Sequence, residues 1–178
     1  MSKIKIKNSK QKIADILLKI GCVNINFKNK FTLTSGKKSP VYVDCRKLIS
    51  FPKEREIVIN EMTKLIKSKY KKKVIVAGGE TAGIPYSSFI SHKLKMPMIY
   101  IRKQTKRFGK GKLIEGEYKK KSTSILIEDM ATDGGSKLHF INSKRKNNLS
   151  VKDIYVVFFY NIYPVTKKNL DKMKVNLN

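Results

Sequence analysis

The sequence predicts an α/β fold, a mostly parallel twisted sheet flanked by helices, on three observations. Short apolar strands alternate with helical stretches along most of the chain. Two of those strands run into glycine-rich turns that feed helices. No internal repeat, linker or low-complexity block divides the 178 residues, a length that suits one domain with one site.

The elements follow in order. Ile13, Ile16, Leu17 and Ile20 recur at helical spacing, with Ser9 as N-cap and Gly21 as the stop, so Ser9 to Ile20 reads as an amphipathic helix. Phe31 to Leu33, a turn at Ser35 and Gly36, and the alternation of Val41, Val43 and Cys45 with Tyr42, Asp44 and Arg46 predict two short strands. Pro52 opens a second helix whose buried stripe is Val58, Met62, Leu65 and Ile66. Val74 to Val76 is a strand that ends in a glycine loop, followed by a helix to Leu94 and a strand from Met98 to Ile101. The basic stretch Arg102 to Lys121 contains Gly109, Gly111 and Gly116 and reads as a mobile loop. Ser124 to Ile127 forms a buried strand, a helix starts near Ser136, Ile154 to Phe159 is the last strand, and a polar helix follows Pro164.

Composition excludes several classes. The longest apolar run, Ile154 to Tyr160, is far below the roughly 20 residues of a membrane span. The amino end has no secretory pattern, so a cytoplasmic protein with no membrane association is expected. Cys22, Cys45, His92 and His139 show no ligand spacing, which argues against zinc and a disulfide framework. Forty Lys plus Arg against 13 Asp plus Glu give +27, yet only five of the cations are Arg and they are spread along the chain. Base readout and bidentate phosphate clamps favour Arg, so nucleic acid is not the expected partner. Against that basic background the acids Glu80, Glu128, Asp129 and Asp133 stand out, in loop-like segments after apolar strands.

Three segments carry chemistry. Gly78 to Gly83 has the spacing of a P-loop, but Ile84 and Pro85 stand where Lys and Ser or Thr are required, so an NTPase site fails. Its backbone amides and the following helix start remain suited to an anion, and a tight strand-to-helix connection is the structural alternative. Glu128 to Ser136 joins two acids at the end of a buried strand to a Thr132, Gly134, Gly135, Ser136 turn, which suits a sugar carrying a phosphate. Arg102, Lys103, Lys106, Arg107, Lys110 and Lys112 follow a core strand as a lid for a polyanion.

Four segments in sequence, FTLTSGKKSPVYVDCR (Phe31 to Arg46), AGGETAGIP (Ala77 to Pro85), YIRKQTKRFGKG (Tyr100 to Gly111) and ILIEDMATDGGS (Ile125 to Ser136), together resemble the orotate phosphoribosyltransferases, a type I phosphoribosyltransferase family. The resemblance implies a single phosphoribosyltransferase domain over 1–178: a small N-terminal hood segment (1–46), an α/β core (47–165) and a tail (166–178). It implies transfer of a phosphoribosyl group from 5-phosphoribosyl 1-diphosphate to orotate, with Mg²⁺, in pyrimidine biosynthesis. Arg102, Lys103 and Lys106 would act catalytically on the leaving pyrophosphate. Gly79, Glu80, Thr81, Ala82 and Gly83 would line its other side. Glu128 and Asp129 would hold the ribose hydroxyls and the metal, within a substrate segment that continues through Met130, Ala131, Thr132, Asp133, Gly134, Gly135 and Ser136.

Orotate would meet Thr132 and, through its carboxylate, Arg46, Lys37 or Lys38. A homodimer whose mobile loop serves the neighbouring subunit is also implied. Three positions depart from the family pattern: Phe108 replaces a frequent His, Ala82 a Lys found in some members, and YNIYP has no Arg for the orotate carboxylate. A phosphoribosyltransferase for another base, or a nucleic-acid binder on the same fold, are the competing readings.

Overall fold

A computed structural model describes residues 8–33, 36–105, 112–132, 135–162 and 164–178. The chain forms two compact units, Met1–Glu61 and Met62–Asn178. In the first, helix α1 (Ser9–Lys19) is capped by Asn8, whose side chain accepts from the Gln11 N–H at 2.9 Å. This corrects the predicted cap. Ser9 is already helical and its hydroxyl donates to Glu61 at 2.6 Å, while Asn serves an N-cap as well as Ser does. The helix stops at Gly21, whose φ of +67° lies in the left-handed region that glycine enters freely.

Strands β1 (Val23–Ile25), β2 (Phe31–Thr32), β3 (Lys38–Ser39) and β4 (Val41–Val43) follow. The two predicted strands exist but do not pair with each other: β2 pairs with β3, and β4 with β1, all antiparallel. Both partners are two or three residues long, too short for alternation to register. A 3₁₀ turn, Cys45–Ser50, is capped by Asp44, and Cys22 and Cys45 are free and buried.

Helix α2 (Pro52–Lys69) begins at the predicted proline. Val58, Met62 and Ile66 are buried as expected, but Leu65 is 49% exposed and Ile59 is buried in its place. The apolar stripe is centred between Met62 and Ile66, which leaves Leu65 on its edge.

In the second unit the remaining strands form one sheet: β5 (Ile75–Gly79), β6 (Met98–Ile101), β7 (Ile114–Glu115), β8 (Thr123–Ala131), β9 (Ser150–Phe159) and β10 (Asn176–Leu177). Their order is β10-β9-β8-β5-β6-β7, parallel except for the edge strand β7. Helices α3 (Gly83–Leu94), α4 (Gly135–Lys146) and α5 (Pro164–Lys172) complete it. The Cβ direction at Gly78 meets Ser87 of α3, whereas that at Gly79 meets Phe140 of α4. Neighbouring strand residues face opposite ways, so α3 and α4 cover opposite faces, as the alternating pattern predicts. Ala77, Ile99, Leu126, Phe140, Ile141 and Ile154 pack together in the core on the α4 side. Among the described residues no helix is long and apolar enough to cross a membrane.

Two expectations need correction. β8 runs on through Ala131, so Glu128 and Asp129 belong to the strand and not to a loop behind it. The stretch Arg102 to Lys121 is not one continuous loop, because Ile114 and Glu115 return as β7 and pair with Ile101 and Tyr100. Isolated two-residue strands carry no periodic signal.

Two buried charges shape stability here. Asp153 on β9 accepts from Lys69, Tyr70, Asn176 (3.1 Å) and Asn178 (3.2 Å), which ties the end of α2 and strand β10 to the sheet. Burial alone would raise its pKa, but those hydrogen bonds outweigh it and hold the carboxyl below its ordinary value. The stabilisation is therefore present above the unfolded value near about 3.9 and is lost as pH falls through the native one. Asp153→Asn is expected to cost about 2–3 kcal/mol at pH 7, with the deficit against wild type shrinking below about pH 4, read by urea unfolding across pH.

Lys144 of α4 is fully buried, and its ammonium has no hydrogen-bond partner among the described residues. Burial pushes its pKa well below that of an ordinary lysine. Stability is lost as pH falls below the unfolded value toward the native one, because the unfolded chain then binds the extra proton. Lys144→Met is expected to raise stability by about 1–4 kcal/mol, and the gain in Tm should widen toward acid.

Candidate functional site

Three of the four singled-out segments meet at the carboxyl end of the sheet because β5 lies between β6 and β8. Gly79 is level with Ile101 of β6, and Gly78 with Ile127 of β8. The Glu80 N–H donates to the Ile101 carbonyl at 2.8 Å, which sets the glycine loop directly beside Arg102. Ligands in open α/β sheets sit at this end, so adjacency in the sheet achieves what about 50 residues of chain separation conceal.

The glycines of the loop are explained by close approach. At Gly79 a Cβ would overlap the Glu128 carboxylate and the Phe140 ring. At Gly83 it would lie 2.5 Å from Glu128 Oε1 and from the Ile127 carbonyl, and at Gly78 it would lie 2.7 Å from the Gly83 carbonyl. The segment is thus both a tight connection and a surface of exposed main chain. The Glu80–Thr81 peptide is cis, and α3 starts at Gly83 with Ala82 at its cap position and no side-chain cap. The first-turn amides of α3 accordingly receive no capping side chain of their own.

Glu128 is 5% exposed and turned toward α4, where its Oε2 lies 3.1 Å from the Lys137 ammonium. Its Oε1 rests against Gly79 and Gly83 and has no hydrogen-bond partner among the described residues. Burial raises the Glu128 pKa, the Lys137 charge pulls it back, and the neighbouring Asp129 adds to the rise. Strand alternation sends Asp129, 8% exposed, to the opposite face from Glu128. Lys137 is a site residue that sequence reasoning missed: one lysine among 35 gives no signal until α4 places it under the strand end.

Glu80 holds the start of the basic stretch that follows β6. Its Oε2 accepts from the Lys103 N–H at 2.8 Å and its Oε1 lies 4.0 Å from Arg102, which on its other side is 3.9 Å from Glu115. The Lys103 side chain is exposed, with no hydrogen-bond or ion-pair partner among the described residues. Thr81 and Ala82 continue the loop, Met130, Ala131 and Thr132 end β8, and Gly135 and Ser136 open α4. Lys106, Arg107, Phe108, Lys110, Asp133 and Gly134 lie outside the described residues, as does Ser35.

Arg46 belongs to the first unit, where its Nε is 2.7 Å from Asp44 and its Nη2 donates to the Tyr42 hydroxyl at 3.0 Å. Lys37 is exposed, and Lys38 donates to Thr32 at 2.7 Å.

Among the described residues no group of three or more His, Cys, Asp or Glu could hold a metal by itself. The donors present suit Mg²⁺, which takes one or two carboxylates and completes its shell with water and phosphate oxygens. The carboxylates available are the unbonded, buried Oε1 of Glu128 and, on the opposite face of the strand, Asp129, so a single ion would take one of them and fill its shell with water and phosphate oxygens.

No family model matches the chain. It is similar over 167 residues to an orotate phosphoribosyltransferase of Ruegeria sp. (strain TM1040), at 41% identity across 93% of this chain and 74% of that one. A protein of the same name from Roseobacter denitrificans is 40% identical over the same shares. Among solved structures, orotate phosphoribosyltransferase from Aeropyrum pernix superposes with a TM-score of 0.78 at 25% identity, covering 93% of this chain and 90% of that one. Leishmania donovani UMP synthase gives a TM-score of 0.80 at 32% identity over 97% of this chain, which spans 36% of that longer protein.

Proposed function

This chain belongs to the orotate phosphoribosyltransferase family, and from that membership we propose that it transfers the phosphoribosyl group of 5-phosphoribosyl 1-diphosphate to orotate, yielding orotidine 5′-monophosphate and pyrophosphate in pyrimidine biosynthesis. The observation that carries this reading is the meeting of the Gly79 loop, the Arg102–Lys103 lid base and the acid-ended β8 on three adjacent strands. One anionic sugar can touch all three.

In this reading the turn from Thr132 to Ser136, with Asp133 and Gly134, and the amino end of α4 receive the 5-phosphate through main-chain amides. Of the acid pair Glu128 and Asp129, Asp129 would take the ribose hydroxyls and the metal, because Glu128 is turned to the other face and already neutralised by Lys137. When bound, Mg²⁺ would be held by Asp129 together with the substrate diphosphate and would supply positive charge to the departing group. Backbone from Gly79 to Gly83 lines the pyrophosphate on one side, and Arg102, Lys103 and Lys106 close from the other. As the C1–O bond lengthens, positive charge builds on the sugar and negative charge on the leaving oxygen. The lid cations stabilise the latter and exclude water that would hydrolyse the former. The reaction needs no covalent nucleophile.

The single-domain reading, with hood 1–46, core 47–165 and tail 166–178, a homodimer in which the lid serves the neighbouring subunit, and a cytoplasmic location belong to the same proposal and rest on the family resemblance. Arg46, with Lys37 as the other candidate and Thr132 near the base, is proposed to meet the orotate carboxylate, since Asp44 and Tyr42 orient its guanidinium. Loss of one charge-assisted bond predicts that Arg46→Ala raises the orotate KM by about 10- to 100-fold while the KM for the phosphoribosyl donor stays unchanged. An unchanged orotate KM would transfer the role to Lys37. The reaction itself is tested by pyrophosphate release with orotate, uracil, hypoxanthine and adenine. Turnover with orotate alone is expected, and release with a purine but not with orotate would overturn the assignment.

A further inference from the structure

At the opposite, amino end of the sheet in the second unit lies a cleft of about 1620 Å³, lined where β5, β8 and β9 begin at Ile75, Thr123 and Ser150. The residues of β8 from Thr123 to Ala131 span about 26 Å of extended chain between this end and the site above, while along the β7 edge the lining runs up to Lys112 and Leu113, whose carbonyl accepts from the Arg102 N–H at 2.9 Å. The cleft is larger than the roughly 300–1,000 Å³ of small-molecule pockets. Its lining contains eight lysines, one acid (Glu117) and no arginine.

Those lysines come from separate parts of the chain. Lys71, Lys72 and Lys73 connect α2 to β5, Lys119 and Lys120 precede β8, and Lys112 and Lys152 come from the approach to β7 and from β9. All seven are exposed, and among the described residues none of their ammonium groups makes an ion pair or hydrogen bond; only the eighth, Lys69, is paired, with Asp153. Elsewhere Lys12, Lys19, Arg46, Arg102 and Lys137 face a carboxylate, and other exposed lysines, Lys168, Lys172 and Lys174 among them, show no ion pair among the described residues but do not line this cleft. A solvated Lys-rich surface distributes such charges; here tertiary structure gathers uncompensated ones around a concavity, where they repel one another until an anion enters.

The lining also holds two half-buried tyrosines, Tyr70 and Tyr118. The Tyr70 hydroxyl is anchored on Asp153, and Tyr118 packs against the core. Anchored rings amid lysine point charges match the way single-stranded nucleic acid is held, with the backbone neutralised by cations and the bases on aromatic platforms. The absence of arginine from the lining removes bidentate base readout, so the recognition is independent of sequence. We propose that this basic cleft is a second ligand site, centred on the lysines at the amino end of the sheet, which binds single-stranded nucleic acid through its phosphates and at least one base.

The test is fluorescence anisotropy with a labelled 15-nucleotide oligouridylate at several salt concentrations. Each phosphate contact contributes a slope of about −0.7 in log K against log salt, so engagement of four to seven lysines predicts about −3 to −5. Lys71→Glu, Lys72→Glu and Lys119→Glu together should weaken binding at least 10-fold and lower the slope by about 2, with phosphoribosyl transfer kept within twofold. The charge-matched control Lys168→Glu, Lys172→Glu and Lys174→Glu, on exposed residues of α5 and just beyond it, should change affinity by less than threefold. Tyr118→Ala should weaken oligouridylate about 5-fold or more and leave inorganic polyphosphate unaffected. Equal losses in the cleft and control triples would overturn the site. Equal sensitivity of polyphosphate to Tyr118→Ala, or tighter binding of polyglutamate than of oligouridylate, would overturn the nucleic-acid occupant.

Discussion

Gly79→Ala is expected to lower kcat/KM at least about 100-fold, the cost of misplacing a substrate-positioning group by about 1 Å. The added methyl would overlap both the Glu128 carboxylate and the Phe140 ring. Neither has room to yield: Glu128 is pinned by Lys137 at 3.1 Å, and Phe140 is 1% exposed in the core. Overpacking of this kind costs about 1–3 kcal/mol, which for a chain of this size corresponds to a fall in Tm of about 3–10 °C. The two losses are separable. Adding Phe140→Leu relieves the ring contact and should recover part of the Tm, while kcat/KM stays low because the contact with Glu128 persists. Wild-type kcat/KM in Gly79→Ala would remove the claim that the glycine loop and the acidic strand end form one packed unit.

Lys103→Ala should behave in the opposite way, with kcat falling by about 10²–10³, the loss seen when one preorganised donor to a developing negative charge is removed. Its structural anchor is the backbone N–H on Glu80, which alanine retains, while the side chain is exposed. Stability should therefore change by no more than about 0.5 kcal/mol. The loss should appear in kcat more than in the KM for the phosphoribosyl donor, because the ammonium acts on charge that develops as the bond breaks. A variant that unfolds by circular dichroism, or one with unchanged kcat, would contradict the role of Lys103 as a lid cation.

Much of this was legible in the amino acids. The helix over 9–19, the strand Met98–Ile101 and the proline start of α2 match their signals because each is long, periodic or punctuated. The short strands β1, β3, β7 and β10 were not, since two or three residues become strands only when a partner is present. Leu65 was misplaced for a related reason: periodicity defines a stripe, but the neighbours decide where its edge falls.

The site divides in the same way. Residue order and chemistry alone pointed to glycine amides, lid cations and paired acids serving one anionic sugar, because those residue types in those local patterns have few other uses. Only the tertiary structure decided that Glu128 is turned inward against Gly79, Gly83 and Lys137 while Asp129 faces the other way, and that unpaired lysines from distant segments converge on a second cleft. Both depend on which strands lie side by side and on which face each side chain leaves, quantities set by packing between segments far apart in the chain.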